Sequence, residues 1–160
     1  MAPMSLMLDL VRHADARERA PGTEDIDRRL SALGERQVLR VAERLHERGQ
    51  LPTLVLCSPA RRAQQTLAAL GYDIAAVART EPRIYEASLD DLLDLIAGIQ
   101  PLASRAMIIG HNPGLQDLLA YLLGPRAPGV GTASHTRIRL PSVPERPLRG
   151  SAVLLEHRDA

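Results

Sequence analysis

The sequence predicts an α/β protein: a three-layer α/β/α fold with a mixed, mostly parallel sheet and helices on both faces. Three observations predict it. Short apolar runs at Leu6–Val11, Thr53–Cys57 and Arg105–Ile109 are each followed by a polar turn or loop and then a segment of helical period. Alternation of this kind makes parallel strands joined by helices. The two last apolar runs, Thr136–Leu140 and Ala152–His157, have no helix between them and predict an antiparallel pair that makes the sheet mixed.

The elements follow in order. Leu6–Val11 is strand one, and the charged stretch from Arg12 to Leu30 is too long for a plain connection. Ser31 is placed to cap a helix running to about Arg48, with Leu33, Val38, Val41, Ala42 and Leu45 as its apolar stripe and Gly49 as its stop. After strand two, Ser58-Pro59 reads as a cap followed by proline at the first helical position, and the helix runs over Ala60–Leu70 to Gly71. A short extended piece covers Ala75–Arg79. Ser88 caps a helix over Leu89–Ile99. Strand Arg105–Ile109 ends in Gly110-His111-Asn112-Pro113-Gly114, helix Leu115–Leu123 follows, and Gly124–Gly131 leads to the final pair.

At 160 residues the chain is expected to form one domain, residues 1–160, with a core built from Leu, Val, Ile and Ala because Phe and Trp are absent. Every basic side chain is Arg, which reads as codon usage. A net charge of +1 and no basic run argue against a nucleic-acid binder. A single Cys57 cannot form an internal disulfide and fits a reducing cytoplasm. No apolar stretch approaches the roughly 20 residues of a membrane span, and no signal peptide is read at the start. Repeats and low-complexity tracts are absent. The expectation is a cytoplasmic monomer with no membrane or nucleic-acid partner.

Chemistry concentrates at three junctions: Arg12-His13 after strand one, Arg61 and Arg62 in the turn after Cys57, and His111 after Ile109. In a parallel sheet these junctions share the carboxyl edge, where ligands bind. Arginine forks and helix N–H groups neutralise phosphoryl oxygens. Histidine can take the phosphoryl group itself. Singly these signals are weak, since a paired Arg is usually a solvated face and a lone His often caps a turn. Their coincidence at matching junctions is what carries weight.

The motifs Val11-Arg12-His13-Ala14-Asp15, Asp27-Arg28-Arg29-Leu30-Ser31-Ala32-Leu33-Gly34, Ser58-Pro59-Ala60-Arg61-Arg62-Ala63-Gln64-Gln65-Thr66 and Ile109-Gly110-His111-Asn112-Pro113 run in this order over most of the chain. Together they resemble the histidine phosphatase superfamily, with its phosphoglycerate mutase-like fold, and within it the small SixA-type phosphohistidine phosphatases. The resemblance implies that His13 becomes phosphohistidine, that Arg12 and Arg62 bind phosphoryl oxygens, and that His111 completes the pocket. Arg62, not Arg61, falls on the motif's Arg. Arg28 is implied as a further phosphate ligand, although Arg29 and Ser31 replace the Pro and Thr of the usual pattern. Ala14 stands where the family more often has Gly. Glu86 falls where larger members carry a general acid, and Asp15 is its rival.

Neighbouring Arg groups are expected to disfavour the His13 imidazolium, and the second ring nitrogen to donate to a backbone carbonyl. His46, His157 and Cys57 read as structural, and His135 precedes a late strand that could approach the pocket. No cofactor and no metal is called for. A metal site at His13, Asp15 and His111 is the weaker alternative, because the adjacent Arg groups repel a cation. The remaining alternatives are a small-molecule phosphomonoesterase, a phosphomutase and a non-catalytic phosphate-binding module. The leading partner is a phosphorylated protein such as a histidine phosphotransfer domain, with small phosphorylated metabolites second.

Overall fold

A computed structural model describes residues 5–141 and 145–160. Six strands, β1 (Leu6–Arg12), β2 (Leu54–Cys57), β3 (Ala78–Thr80), β4 (Arg105–Gly110), β5 (His135–Leu140) and β6 (Val153–Arg158), form one sheet in the order β3-β2-β4-β1-β5-β6. The first four run parallel, and β5 lies antiparallel to both β1 and β6. The helices are α1 (Ala32–Arg48), α2 (Arg61–Ala69), a single turn α3 (Tyr72–Ala75), α4 (Leu89–Ile99) and α5 (Gly114–Leu123). This is the predicted α/β architecture.

Strand alternation divides the core in two. Leu8 and Leu10 of β1 and Ile108 of β4 pack with Leu92 and Ile96 of α4 and Leu118 and Leu119 of α5. Val11, Met107 and Ile109 pack on the other face with Val38, Val41 and Leu45 of α1 and Ala63 and Leu67 of α2. Both faces of the strands are buried, which is why they read as nearly continuous apolar runs. Among the described residues no helix is long and apolar enough to cross a membrane.

Local signals explain most boundaries. Ser31 accepts from the Gly34 N–H at the start of α1, and Gly49 ends it at φ 71°. Ser88 and Asp91 form a capping box at the head of α4. Leu33 is 49% exposed and does not belong to the α1 stripe, because in the first turn the buried face is carried by Gly34, in register with Val38, Val41 and Leu45. Ser58 does not cap α2. The chain stays extended through Ala60, helix begins at Arg61, and Ser58 Oγ lies instead 2.7 Å from His111 Nε2. The extended piece expected from Ala75 begins only at Ala78, after the α3 turn.

A buried ionic cluster ties β1 to β5. Asp9, 1% exposed, accepts from Arg137 Nε at 2.8 Å and Nη2 at 3.1 Å, and its Oδ1 lies 2.6 Å from His135 Nε2. Burial alone would raise the Asp9 carboxyl, but the hydrogen bonds from His135 and Arg137 outweigh it and hold the group below its ordinary value. His135 therefore faces this cluster and not the carboxyl-edge pocket. Asp9→Ala leaves the Arg137 guanidinium buried without its counter-charge. The expected loss is about 3–5 kcal/mol of unfolding free energy, read as a lowered urea midpoint.

Candidate active site

The carboxyl edge of β1, β2 and β4 assembles the groups read from sequence. β1 ends at Arg12, so His13 leaves the sheet at its centre, where its N–H donates to the Gly110 carbonyl of β4 and its own carbonyl accepts from Ala133. The Arg12 N–H donates to Ser134. The nucleophile candidate is thus pinned by main-chain bonds to the end of β4 and to the turn that leads into β5. Thr66 of α2 accepts from the Ala14 N–H at 3.1 Å, Gln37 of α1 accepts from the Asp15 N–H at 2.9 Å, and Gln65 accepts from the Leu30 N–H at 2.8 Å. Side chains from two helices hold the two ends of the long loop. The loop also closes on itself through Arg17 N–H to the Arg29 carbonyl. Gly34 is required here: a Cβ at that position would fall 2.1 Å from the Asp15 carbonyl oxygen. Gly34→Ala is expected to push the start of α1 off the loop and to lower both the melting temperature and any turnover, a joint loss that differential scanning fluorimetry beside an activity assay would show.

His13 is 8% exposed. Its Nδ1–H donates to the Ala14 carbonyl at 2.7 Å, which leaves Nε2 as the bare acceptor. Arg62 Nε donates to that atom at 3.3 Å. Desolvation lowers the imidazole first. The Ala14 bond opposes it, and the charges on Arg62, Arg12 and Arg28 add to it, leaving the group at about 4. His111, with its ring centroid 5.1 Å from that of His13, is lowered to about 3, again chiefly by burial. Both rings should stay neutral around pH 6.5, where an ordinary imidazole titrates. Histidine ring NMR across acid pH checks this, and midpoints near 6.5 would refute it. The sign for stability follows. An unfolded chain takes up these protons before the folded one does, so stability falls as pH drops from 6.5 toward about 4.

Arg62 is the hub of the site. From the first turn of α2, 6% exposed, it reaches His13 through Nε and the Asp25 carbonyl through Nη1 at 2.9 Å. Its Nη2 reaches Asp25 Oδ2 at 3.2 Å and approaches His111 Nδ1 at 3.4 Å. Arg61 beside it is exposed. Arg12 donates from Nη1 to the Val130 carbonyl, and its buried Nε has no hydrogen-bond partner among the described residues. Arg28 donates to the Arg17 carbonyl and to Asp25. Arg12, His13, Arg28, Arg62 and His111 therefore come together.

Next to them lies a cleft of about 300 Å³ lined by Asp25, Arg62, Tyr85, Glu86, His111 and Asn112 among others. Glu86 is exposed on its wall with φ 57°, a left-handed conformation uncommon for a side-chain-bearing residue. Asp15 instead accepts the Ser31 hydroxyl at 2.5 Å. Among the described residues no three His, Cys, Asp or Glu side chains are grouped to hold a metal ion. Cys57 is buried, and desolvation pushes its thiol up to about 12, so it is inert. Sequence reasoning missed Asp25, Tyr85 and Ser58. The Gln65-Thr66 pair of the α2 motif did carry a signal for the loop anchors.

A buried imidazole, a second imidazole beside it and three nearby arginines thus gather at the carboxyl edge of the sheet. The chain belongs to the histidine phosphatase superfamily (branch 1), whose sequence profile matches residues 8–112. An uncharacterized protein of Mycobacterium tuberculosis, Rv1276c, is 31% identical over 134 residues, covering 82% of each chain. The uncharacterized chloroplastic protein At3g52155 of Arabidopsis thaliana is 30% identical over 132 residues, 76% of this chain but 61% of that one. The chain thus spans about three-fifths of the Arabidopsis relative. The Agrobacterium tumefaciens protein named SixA superposes with a TM-score of 0.84 at 25% identity, covering 97% of this chain and 98% of its own. A protein histidine phosphatase SixA complexed with tungstate superposes at 0.82 with 22% identity, over 95% and 96% of the two chains.

Proposed function

We propose that the protein is a phosphohistidine phosphatase working through a covalent phosphohistidine on His13, with a phosphorylated protein as substrate. The observation that carries the mechanism is the bare Nε2 of His13, held unprotonated by the Nδ1 bond to Ala14 and faced by Arg62. Nε2 attacks phosphorus, the bond from phosphorus to the leaving nitrogen breaks, and that nitrogen takes up a proton. Water then attacks the phosphoryl group on His13 and orthophosphate leaves. Arg12, Arg62 and Arg28 neutralise the equatorial oxygens, with His111 completing the pocket. The unpartnered buried Nε of Arg12 is a donor awaiting such an oxygen.

Glu86 is the proposed proton donor to the leaving group, since it stands on the cleft wall while Asp15 is engaged by Ser31. An imidazole leaves readily, so this acid matters less for a phosphoramidate than for an ester. Protein phosphohistidine is supported by the likeness to the Agrobacterium tumefaciens protein named SixA. A monomer acting in the cytoplasm is part of the same proposal.

The test compares hydrolysis of a phosphohistidine-bearing phosphotransfer domain with p-nitrophenyl phosphate and a panel of phosphate esters. Preference for phosphohistidine, lost in His13→Ala, is expected. Turnover of small esters alone would move the substrate to metabolites, and phosphoryl return to a second hydroxyl would mark a mutase. Phosphate binding without turnover of any substrate would leave a binding module.

A further inference from the structure

Three arginines gather where a dianion is to bind, and one carboxylate already sits among them. Asp25 lies on the 3-10 turn Asp25–Asp27 inside the long loop. Its Oδ1 accepts from Arg28 Nη1 at 3.2 Å. Its Oδ2 accepts from Arg62 Nη2 at 3.2 Å and from the Tyr85 hydroxyl at 2.7 Å. Tyr85 in turn packs edge-on against the His111 ring, with centroids 5.7 Å apart. The carboxylate is thus seated on two of the arginines assigned to the phosphoryl oxygens and on the rim of the cleft.

This seat and a bound phosphoryl group make competing demands. Arg62 has Nε on His13, Nη1 on the Asp25 carbonyl and Nη2 on the Asp25 carboxylate. A phosphoryl group in line with His13 Nε2 needs the Nε and Nη2 edge of that fork. Two anions cannot share Nη2 without strong repulsion. The Asp25 side chain is 44% exposed, while that of Arg62 is 7% exposed. The carboxylate is the more exposed partner, and rotation of its side chain toward solvent would leave its carbonyl on Arg62 Nη1. The Tyr85 bond, first among the causes, and the two arginines hold the carboxyl down at about 2, so it is charged whenever it is seated.

We propose that Asp25 is an internal counter-anion that occupies Arg62 and Arg28 in the free enzyme and is exchanged for the phosphoryl group on binding. This rests on the phosphatase reading. While the site is empty, the carboxylate balances cations that would otherwise repel one another. After hydrolysis it returns and displaces orthophosphate, so product does not linger on the arginines.

Binding of orthophosphate and orthovanadate, measured by calorimetry on wild type, Asp25→Asn and Tyr85→Phe beside turnover of p-nitrophenyl phosphate, tests the exchange. Asp25→Asn is expected to tighten phosphate binding about tenfold. Tyr85→Phe keeps the ring and the charge but loosens the seat, and is expected to tighten binding in the same direction by less. A carboxylate that only positions Arg62 predicts the opposite sign for both variants. Unchanged or weaker binding in Asp25→Asn overturns the proposal, and so does tightening there with none in Tyr85→Phe, since a carboxylate repelling from a fixed place would not feel the phenol. If wild type turns over and only these shifts fail, the exchange alone is wrong. If neither wild type nor Asp25→Asn binds phosphate or turns over, the phosphatase reading falls and takes the exchange with it.

Discussion

His13→Ala is expected to reduce turnover on the order of 10⁴-fold or more, to background, because it removes the atom that receives the phosphoryl group. The variant should still fold. His13 is buried, but its main-chain bonds to Gly110 and Ala133 do not depend on the ring. The variant should therefore keep its melting temperature within a few degrees and still bind orthophosphate through Arg12, Arg28 and Arg62. That combination separates loss of a nucleophile from loss of a fold. Turnover near the wild-type value would mean that phosphate is released by direct attack of water, and the covalent mechanism would be wrong.

The second large effect is expected at Arg62. Its guanidinium touches His13, Asp25 and His111 at once, and its backbone carbonyl accepts from Thr66, the residue that also holds the Ala14 N–H. Arg62→Ala should cost about a hundred- to a thousandfold in kcat, the usual scale for removing one preorganised donor from a developing oxyanion. Arg62→Lys should rescue little. An ammonium restores the charge but not the fork, and two of the fork's edges serve different partners here. Steady-state kinetics on both variants checks this. A lysine variant within a few-fold of wild type would show that the site needs only positive charge and would weaken the geometric account.

The parallel strands and the three chemical junctions were legible from sequence because each rests on a local pattern. A buried strand shows as an apolar run, and the residue after it is placed at the carboxyl edge by the parallel topology alone. Arg12, His13 and His111 are read in this way, and Arg62 is picked out from Arg61 by the α2 motif. Ser58 misled because Ser-Pro before a helix is a sound capping signal. The competing bond to His111, 53 residues away, leaves no trace in local sequence. Asp25 was illegible for a related reason. It lies in a loop without period, and its partners Arg62 and Tyr85 are 37 and 60 residues distant. His135 was visible as an unplaced imidazole, but its bond to Asp9 depends on the β1–β5 register, which sequence alone did not specify. Leu33 misled because it is the apolar residue of the first turn, while the stripe there is carried by its neighbour Gly34, which has no apolar side chain to announce it. What sequence conceals in this protein is therefore the second partner of each polar group, set by long-range packing.

The most direct measurement is rapid-quench mass spectrometry of the enzyme during turnover, with an alkaline quench and work-up that preserve phosphoramidates. One phosphoryl group on the peptide carrying His13, decaying as orthophosphate appears and absent from His13→Ala, is the predicted result. Turnover with no phosphoenzyme at any time point, or the phosphoryl group found on His111 or another residue, would contradict the account.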